Sequence, residues 1–323
     1  MQAASIGVTF DGRAGLAEMA EQARVAEAGG ADTLWVACHL FLRDPITTAH
    51  VALAATTRMK IALMAMSPYV MHPVYIAMAA ATLAELYPGR ILLCLGVGAP
   101  GDLAAAGIPA PQPLATLREA IAVCRALFAG DTVRHNGARF QVAGRQLAST
   151  PGAIPIVLAA SGPRTLELAG AAADGVILSS AASVPFVRWS LEQVAHGAMG
   201  RTVLRCGIVY TQLAAEGQAI GTGLRHRLGF ILRGAHHARN LELGGTRLDQ
   251  QRLYQAYAQA DWPTVAALIT DTVVQHHTAV GTAEQVRVRF AEYRGAGLDQ
   301  VIIGGMEDTA GLVAALHAVR AMA

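Results

Sequence analysis

Residues 91–98, Ile91-Leu92-Leu93-Cys94-Leu95-Gly96-Val97-Gly98, form an apolar run that stops at a Gly-x-Gly turn. An uncharged run of this length predicts a strand buried on both faces. Glycine at its carboxyl end lets the backbone approach a bound ligand, because no Cβ stands in the way. In parallel sheets and barrels, ligands sit at the carboxyl ends of the strands. The segment therefore indicates both an architecture and the edge of it where chemistry belongs.

Outward from this run, further strands are predicted at 4–9, 33–37, 59–66, 154–159, 174–178, 205–211 and 299–303. Helical patterns separate most of them. Residues 15–28 stop at Gly29-Gly30, 74–86 stop before Pro88-Gly89, and 113–129 stop at Gly130. Eight strands alternating with helices over 323 residues are the pattern of an α/β (β/α)8 TIM barrel, read here as a single domain over 1–323. The alternative, a doubly wound sheet, would not usually require eight strands. Two stretches interrupt the alternation. Residues 131–150 are polar and predict a short hairpin around Asn136-Gly137. Residues 212–280, between the seventh and eighth strands, are too long for a crossover; with helices expected at 224–232 and 248–258, they read as an insertion lying over the barrel mouth as a lid.

Composition narrows the function classes. A chain 53% hydrophobic and only 15% charged builds a large core and is not disordered. A formal net charge of +2 leaves no nucleic-acid footprint. Cys38, Cys94, Cys124 and Cys206 lie far apart with no CxxC pair, which suits buried or reactive thiols in a reducing, cytoplasmic setting. No signal peptide is expected. Residues 61–84 carry no Asp, Glu, Lys or Arg, yet Pro68, His72 and Pro73 divide them into a strand and a helix, so no membrane span is expected.

Few residues can carry chemistry at the expected edge. His39 follows the second strand directly, where a barrel places catalytic groups, and its imidazole could donate to or accept from a substrate or cofactor; a loop histidine without a catalytic part is the competing reading. Ser161-Gly162-Pro163 follows the fifth strand and opens a helix whose free N–H groups favour a phosphate, with ordinary capping by Ser161 as the alternative. Lys60 is the only lysine, and it stands at the entry of a strand, the wrong end for a Schiff base. His236-His237 and His276-His277 suggest a metal, but adjacent side chains do not share a helix face; surface or loop histidines are expected. There is no Walker A sequence and no GxSxG elbow, and Pro100 spoils the GxGxxG spacing of Gly96, Gly98 and Gly101.

Several motifs together resemble the luciferase-like monooxygenase superfamily. They are residues 35–45, 54–61 and His72-Pro73, then 81–90 before Gly96-Val97-Gly98, then 117–123, 159–177 and 279–286. Within it the chain is similar to the deazaflavin branch that includes methylenetetrahydromethanopterin reductase. The resemblance implies a (β/α)8 barrel and hydride transfer between coenzyme F-420 and a small-molecule substrate. FMN is the other cofactor of the superfamily, so an FMN-dependent monooxygenase is the first alternative; a cofactor-binding barrel without turnover is the second. It also implies a homodimer, helped by apolar helical faces such as 76–86.

Carried over by position, the resemblance makes His39 the catalytic histidine. Met64 and Ala65 become a non-proline cis peptide behind the deazaflavin ring. Gly96, Val97 and Gly98 line the ring and ribityl chain, and Ala160, Ser161 and Gly162 hold the phosphate. Cys38 stands against the cofactor where the family usually has Asp, and Ala99 stands where some deazaflavin dehydrogenases are acidic, with Asp102 the nearest substitute. Without that aspartate, His39 is expected to lack a neighbour that would hold a proton on it.

Overall fold

The computed structural model describes residues 5–218, 220–306 and 308–320. The fold is of the (β/α)8 class, and the doubly wound alternative falls. The eight strands that define it are β1 (Ser5–Phe10), β2 (Thr33–Ala37), β3 (Lys60–Met66), β4 (Ile91–Leu95), β5 (Ile156–Ala160), β6 (Gly175–Leu178), β7 (Leu204–Leu213) and β8 (Gln300–Gly304). Each predicted strand is found with its ends shifted by two residues or fewer; Ala4, the predicted first residue of β1, lies outside the described residues. The chain divides into two compact units.

The first unit comprises residues 8–177 and 193–204. Here β2 pairs in parallel with β3, β3 with β4, and β4 with β5. Every residue of β2 and β4 is buried, as continuous apolar runs demand in a sheet covered on both faces. The helix Pro73–Leu86 begins where His72 Nδ1 accepts from the Val74 N–H at 3.2 Å, with Pro73 at its first position. It buries Ile76, Ala77, Ala80, Ala81, Leu83 and Ala84 and leaves Tyr75, Met78 and Leu86 exposed.

The predicted hairpin is present as antiparallel strands Val133–Asn136 and Gln141–Arg145, but Asn136 pairs with Gln141, so the loop has four residues instead of a tight Asn-Gly turn. The reason is Glu119, whose carboxylate accepts from the N–H groups of Ala138, Arg139 and Phe140 at 3.0 Å each and so supports a wider loop.

The second unit comprises residues up to 7, 178–192 and 205 onward. In it β7 and β8 run parallel, and a short strand Ala279–Gly281 adds to β7 opposite Thr211, Gln212 and Leu213. Of these pairs, Gln212 with Val280 falls wholly in the stretch that the sequence assigns to the insertion, and the other two straddle its ends. The insertion carries its own apolar cluster, in which Leu224, Leu228, Leu232, Leu253, Val265 and Ile269 are buried together. Its helices Thr222–Leu232 and Gln250–Ala258 match the expected ones; Ala238–Leu243, Trp262–Leu268 and Asp271–His277 are additional.

Candidate active site at the carboxyl ends of four strands

Strands β2, β3, β4 and β5 are neighbours in the first unit, so the residues that end them share one edge. All ten residues singled out from the sequence lie at those four strand ends: Cys38 and His39, Met64 and Ala65, Gly96 to Gly98, and Ala160 to Gly162.

At β3 the ladder to β4 pairs Leu63 with Leu93 and next Met66 with Leu95, so Met64 and Ala65 together face only Cys94 and bulge. The Met64–Ala65 peptide is cis. The Cys38 N–H donates to Met64 O at 2.5 Å and the Gly96 N–H to Met66 O at 3.1 Å, holding the bulge from both sides. A Cβ on Gly96 would stand 2.8 Å from Ala65 Cβ and 3.3 Å from Ala159 Cβ. The protein itself thus occupies the space that the sequence reading reserves for a ligand at Gly96. Gly98 needs to be glycine for a different reason, its φ of +99°. The turn between them is fixed by Ser67, which no sequence signal singled out. Its hydroxyl donates to Val97 O at 2.6 Å and accepts from the Tyr69 N–H at 3.3 Å.

At β5 the structure corrects the capping alternative. The helix Pro163–Ala172 has Gly162 as its N-cap (φ −88°, ψ 152°), with no side-chain cap. Pro163 at the first helical position moves the cap one residue past Ser161. No atom lies within 4 Å of a Cβ built on Gly162. Nothing in the fold requires glycine there.

His39 also departs from expectation. Its Nδ1 lies 3.4 Å from Asp102 Oδ2, and the two side chains are 44% and 29% exposed. The chain turns at Gly98, and the short helix Pro100–Ala105 returns Asp102 to the ring. The expectation that His39 lacks a carboxylate neighbour is therefore wrong, and the replacement comes from sixty-three residues downstream. Cys38 is not a reactive thiolate. Burial, then the charges of Asp44 and Asp102, push its thiol up to about 11. Two residues past His39, Phe41 holds φ +66° and is 73% exposed, in a turn pinned by Arg43 Nη1, which donates to Gly12 O and Arg13 O at 3.0 and 2.7 Å.

The paired histidines lie elsewhere, in the second unit, and two of them are buried, not at the surface as expected: His237 is 2% exposed and His277 0%. His277 Nδ1 is 2.8 Å from Ala181 O; a carbonyl only accepts, so Nδ1 carries the proton and Nε2 accepts from Thr246 Oγ1 at 2.9 Å. Burial pushes His277 down to about 4 and His237 down to about 3, so both rings are neutral. Among the described residues no group of three metal-ligating side chains is assembled.

Comparison with known proteins places this geometry. Residues 3–300 match the luciferase-like monooxygenase family. The chain belongs to that family. A 5,10-methylenetetrahydromethanopterin reductase of Methanolobus tindarius is 27% identical over 306 residues, covering 93% of this chain and 94% of the relative. An F-420-dependent glucose-6-phosphate dehydrogenase of Nocardia farcinica is 34% identical over 178 residues, 50% of this chain and 53% of the relative. The structure of the coenzyme F-420-dependent tetrahydromethanopterin reductase of Methanopyrus kandleri superposes with a TM-score of 0.88 at 22% identity, covering 97% of each chain, a likeness that shows the fold. Family membership accounts for the chain-wide order of motifs read from the sequence.

Proposed function

We propose that this protein is an oxidoreductase that transfers a hydride between coenzyme F-420 and a small organic substrate. The observation that carries the reading is the likeness to methylenetetrahydromethanopterin reductase along nearly the whole chain, joined to four neighbouring strand ends that carry the residues the resemblance implies. The fit is local and physical. Gly162 leaves open space beside its backbone, at the start of a helix whose positive end favours an anion. Ala65 and Ala160 are small, and the bulge at Met64 and Ala65 is firmly held by its neighbours.

In this reading Ala160, Ser161 and Gly162 hold the phosphate through backbone N–H groups and the Ser161 hydroxyl. Gly96, Val97 and Gly98 border the ring, with Met64 and Ala65 behind it and the protonated thiol of Cys38 at its margin. When bound, F-420 supplies a carbon centre that takes or gives a hydride but activates oxygen poorly. His39 holds or moves the accompanying proton at its imidazole. The half-exposed setting of His39 leaves the ring reachable by a substrate.

The protein is further proposed to work as a homodimer in the cytoplasm, a second copy covering Tyr75, Met78 and Leu86. No helix among the described residues is long and apolar enough to cross a membrane. Light scattering that reports a monomer at micromolar concentration would remove the dimer.

The deciding experiment titrates the purified protein with F-420 and with FMN and records spectra of any cofactor that copurifies. Preferential F-420 binding, followed by reduction or oxidation of F-420 with a panel of small alcohols, carbonyls and imines, is the expected result. Preference for FMN moves the protein to the monooxygenase alternative. F-420 binding with no turnover on any substrate leaves a binding barrel.

A further inference from the structure

We infer that Asp102 is a positioning residue for His39: it fixes the neutral ring as the Nδ1–H tautomer and leaves Nε2 as the atom that accepts a proton from substrate. The inference deepens the proposed function, because it names which atom of His39 works. A carboxylate has no proton to give, so the 3.4 Å contact between Asp102 Oδ2 and His39 Nδ1 is a hydrogen bond only when Nδ1 is the protonated nitrogen. A proton held on one ring nitrogen leaves a lone pair on the other, which is how a carboxylate orients a catalytic imidazole in other folds.

The surroundings favour Asp102 in this part. Asp102 is 29% exposed against 44% for the ring, so the carboxylate is the less exposed partner. Its place is set by backbone bonds independent of His39: the Asp102 and Leu103 N–H groups both donate to Ala99 O, at 3.1 and 3.0 Å. The turn that presents His39 is also pinned, by the Leu42 N–H to His39 O at 3.3 Å and by Arg43 on Gly12 and Arg13. Two supports built separately meet at this contact. The other charged side chains of the His39 turn are otherwise engaged: Asp44 accepts from the Thr47 N–H, and Arg43 reaches the two carbonyls.

The test reads the tautomer directly, on protein without cofactor. In protein carrying ¹⁵N-labelled histidine, at a pH where His39 is neutral, His39 is expected to show a protonated Nδ1 and a bare Nε2. Asp102→Ala is expected to return it to the Nε2–H form that free imidazole side chains prefer. Asp102→Asn, which keeps the shape and guards against misfolding of Asp102→Ala, is expected to give a mixture, since an amide both donates and accepts. With F-420 and a substrate, Asp102→Ala is expected to lower kcat about 2–5-fold with KM unchanged, the size a partly exposed pair supplies. The same His39 tautomer in wild type and both variants would overturn the inference, as would Nε2–H in the wild type. Failure of F-420 to bind would sink the proposed function and leave the tautomer result standing.

Discussion

His39 and His277 are both histidines at the end of a secondary-structure element, and the protein treats them in opposite ways. His277 is wholly buried and both its nitrogens are used: Nδ1 on Ala181 O and Nε2 on Thr246 Oγ1, at 2.8 and 2.9 Å. His39 is half exposed, has one longer contact to Asp102, and keeps a nitrogen in reserve. A histidine whose every polar atom is bonded within the chain is a structural member, while a reserved nitrogen at a strand end is available to a substrate. Sequence position alone does not separate the two, because burial and partner geometry depend on residues far along the chain.

The comparison breaks most visibly if His39 is replaced. His39→Ala is expected to lower turnover about 10²–10⁴-fold, the range for a general acid or base. F-420 affinity should change far less, and the thermal midpoint should hold, as for most exposed substitutions. Steady-state kinetics beside a melting curve check both halves. Full turnover in the variant would reduce His39 to a pocket wall.

His277→Ala should do the reverse. It opens a cavity and removes one hydrogen bond each from Ala181 O, which keeps Asn240 Nδ2 at 2.8 Å, and Thr246 Oγ1, which keeps His276 Nδ1 at 2.9 Å, together about 2–4 kcal/mol of stability, most of it from the cavity. Acid should imitate it. The folded-state values of His277 and His237 lie near 4 and 3, below the ordinary 6.5, so between about 6.5 and 4 the unfolded chain binds protons that the folded chain refuses. The contribution is fully present above 6.5 and is lost as pH falls through that window. Urea unfolding at several pH values should show a steeper loss in wild type than in His277→Ala. Equal slopes would mean that the buried rings do not govern acid stability.

Much of this was legible in one dimension. Uninterrupted apolar runs such as 91–95 and 33–37 announce strands covered on both faces, and Gly or Pro signals end the helices between them, so the barrel followed. The strand-end residues were legible too, because a parallel architecture dictates the edge where they stand. Contacts between distant positions were not. Asp102 reaches His39 only because Gly98 adopts a positive φ and a short helix turns back, and Ser67 holds Val97 only because β3 and β4 are neighbours. The widened hairpin loop had the same cause at a distance, the carboxylate of Glu119. The purpose of each glycine was hidden for the same reason: the letters are alike at 96, 98 and 162, and only the atoms around them differ.

That difference gives the next test. Gly96→Val forces a side chain against Ala65 and Ala159 and should cost about 1–3 kcal/mol of stability, as overpacking does. It should show in the melting curve of the cofactor-free protein. A variant as stable as wild type would mean that the bulge yields at no cost and that Gly96 serves a ligand after all.

The smallest effect is expected at Gly162, where the fold asks nothing of the residue. With φ at −88° and no atom within 4 Å of the added Cβ, Gly162→Val should fold and melt like wild type. If the turn holds the cofactor phosphate, the branched side chain occupies its place and removes about one charge-assisted hydrogen bond, near 1.4 kcal/mol or a tenfold loss of F-420 affinity. The loss should be the same for F-420 and for FMN, because both present a phosphate, whereas a change at the ring edge would separate them. Isothermal titration of wild type and variant with both cofactors makes the measurement. Unchanged affinity with an unchanged fold would move the phosphate away from this turn.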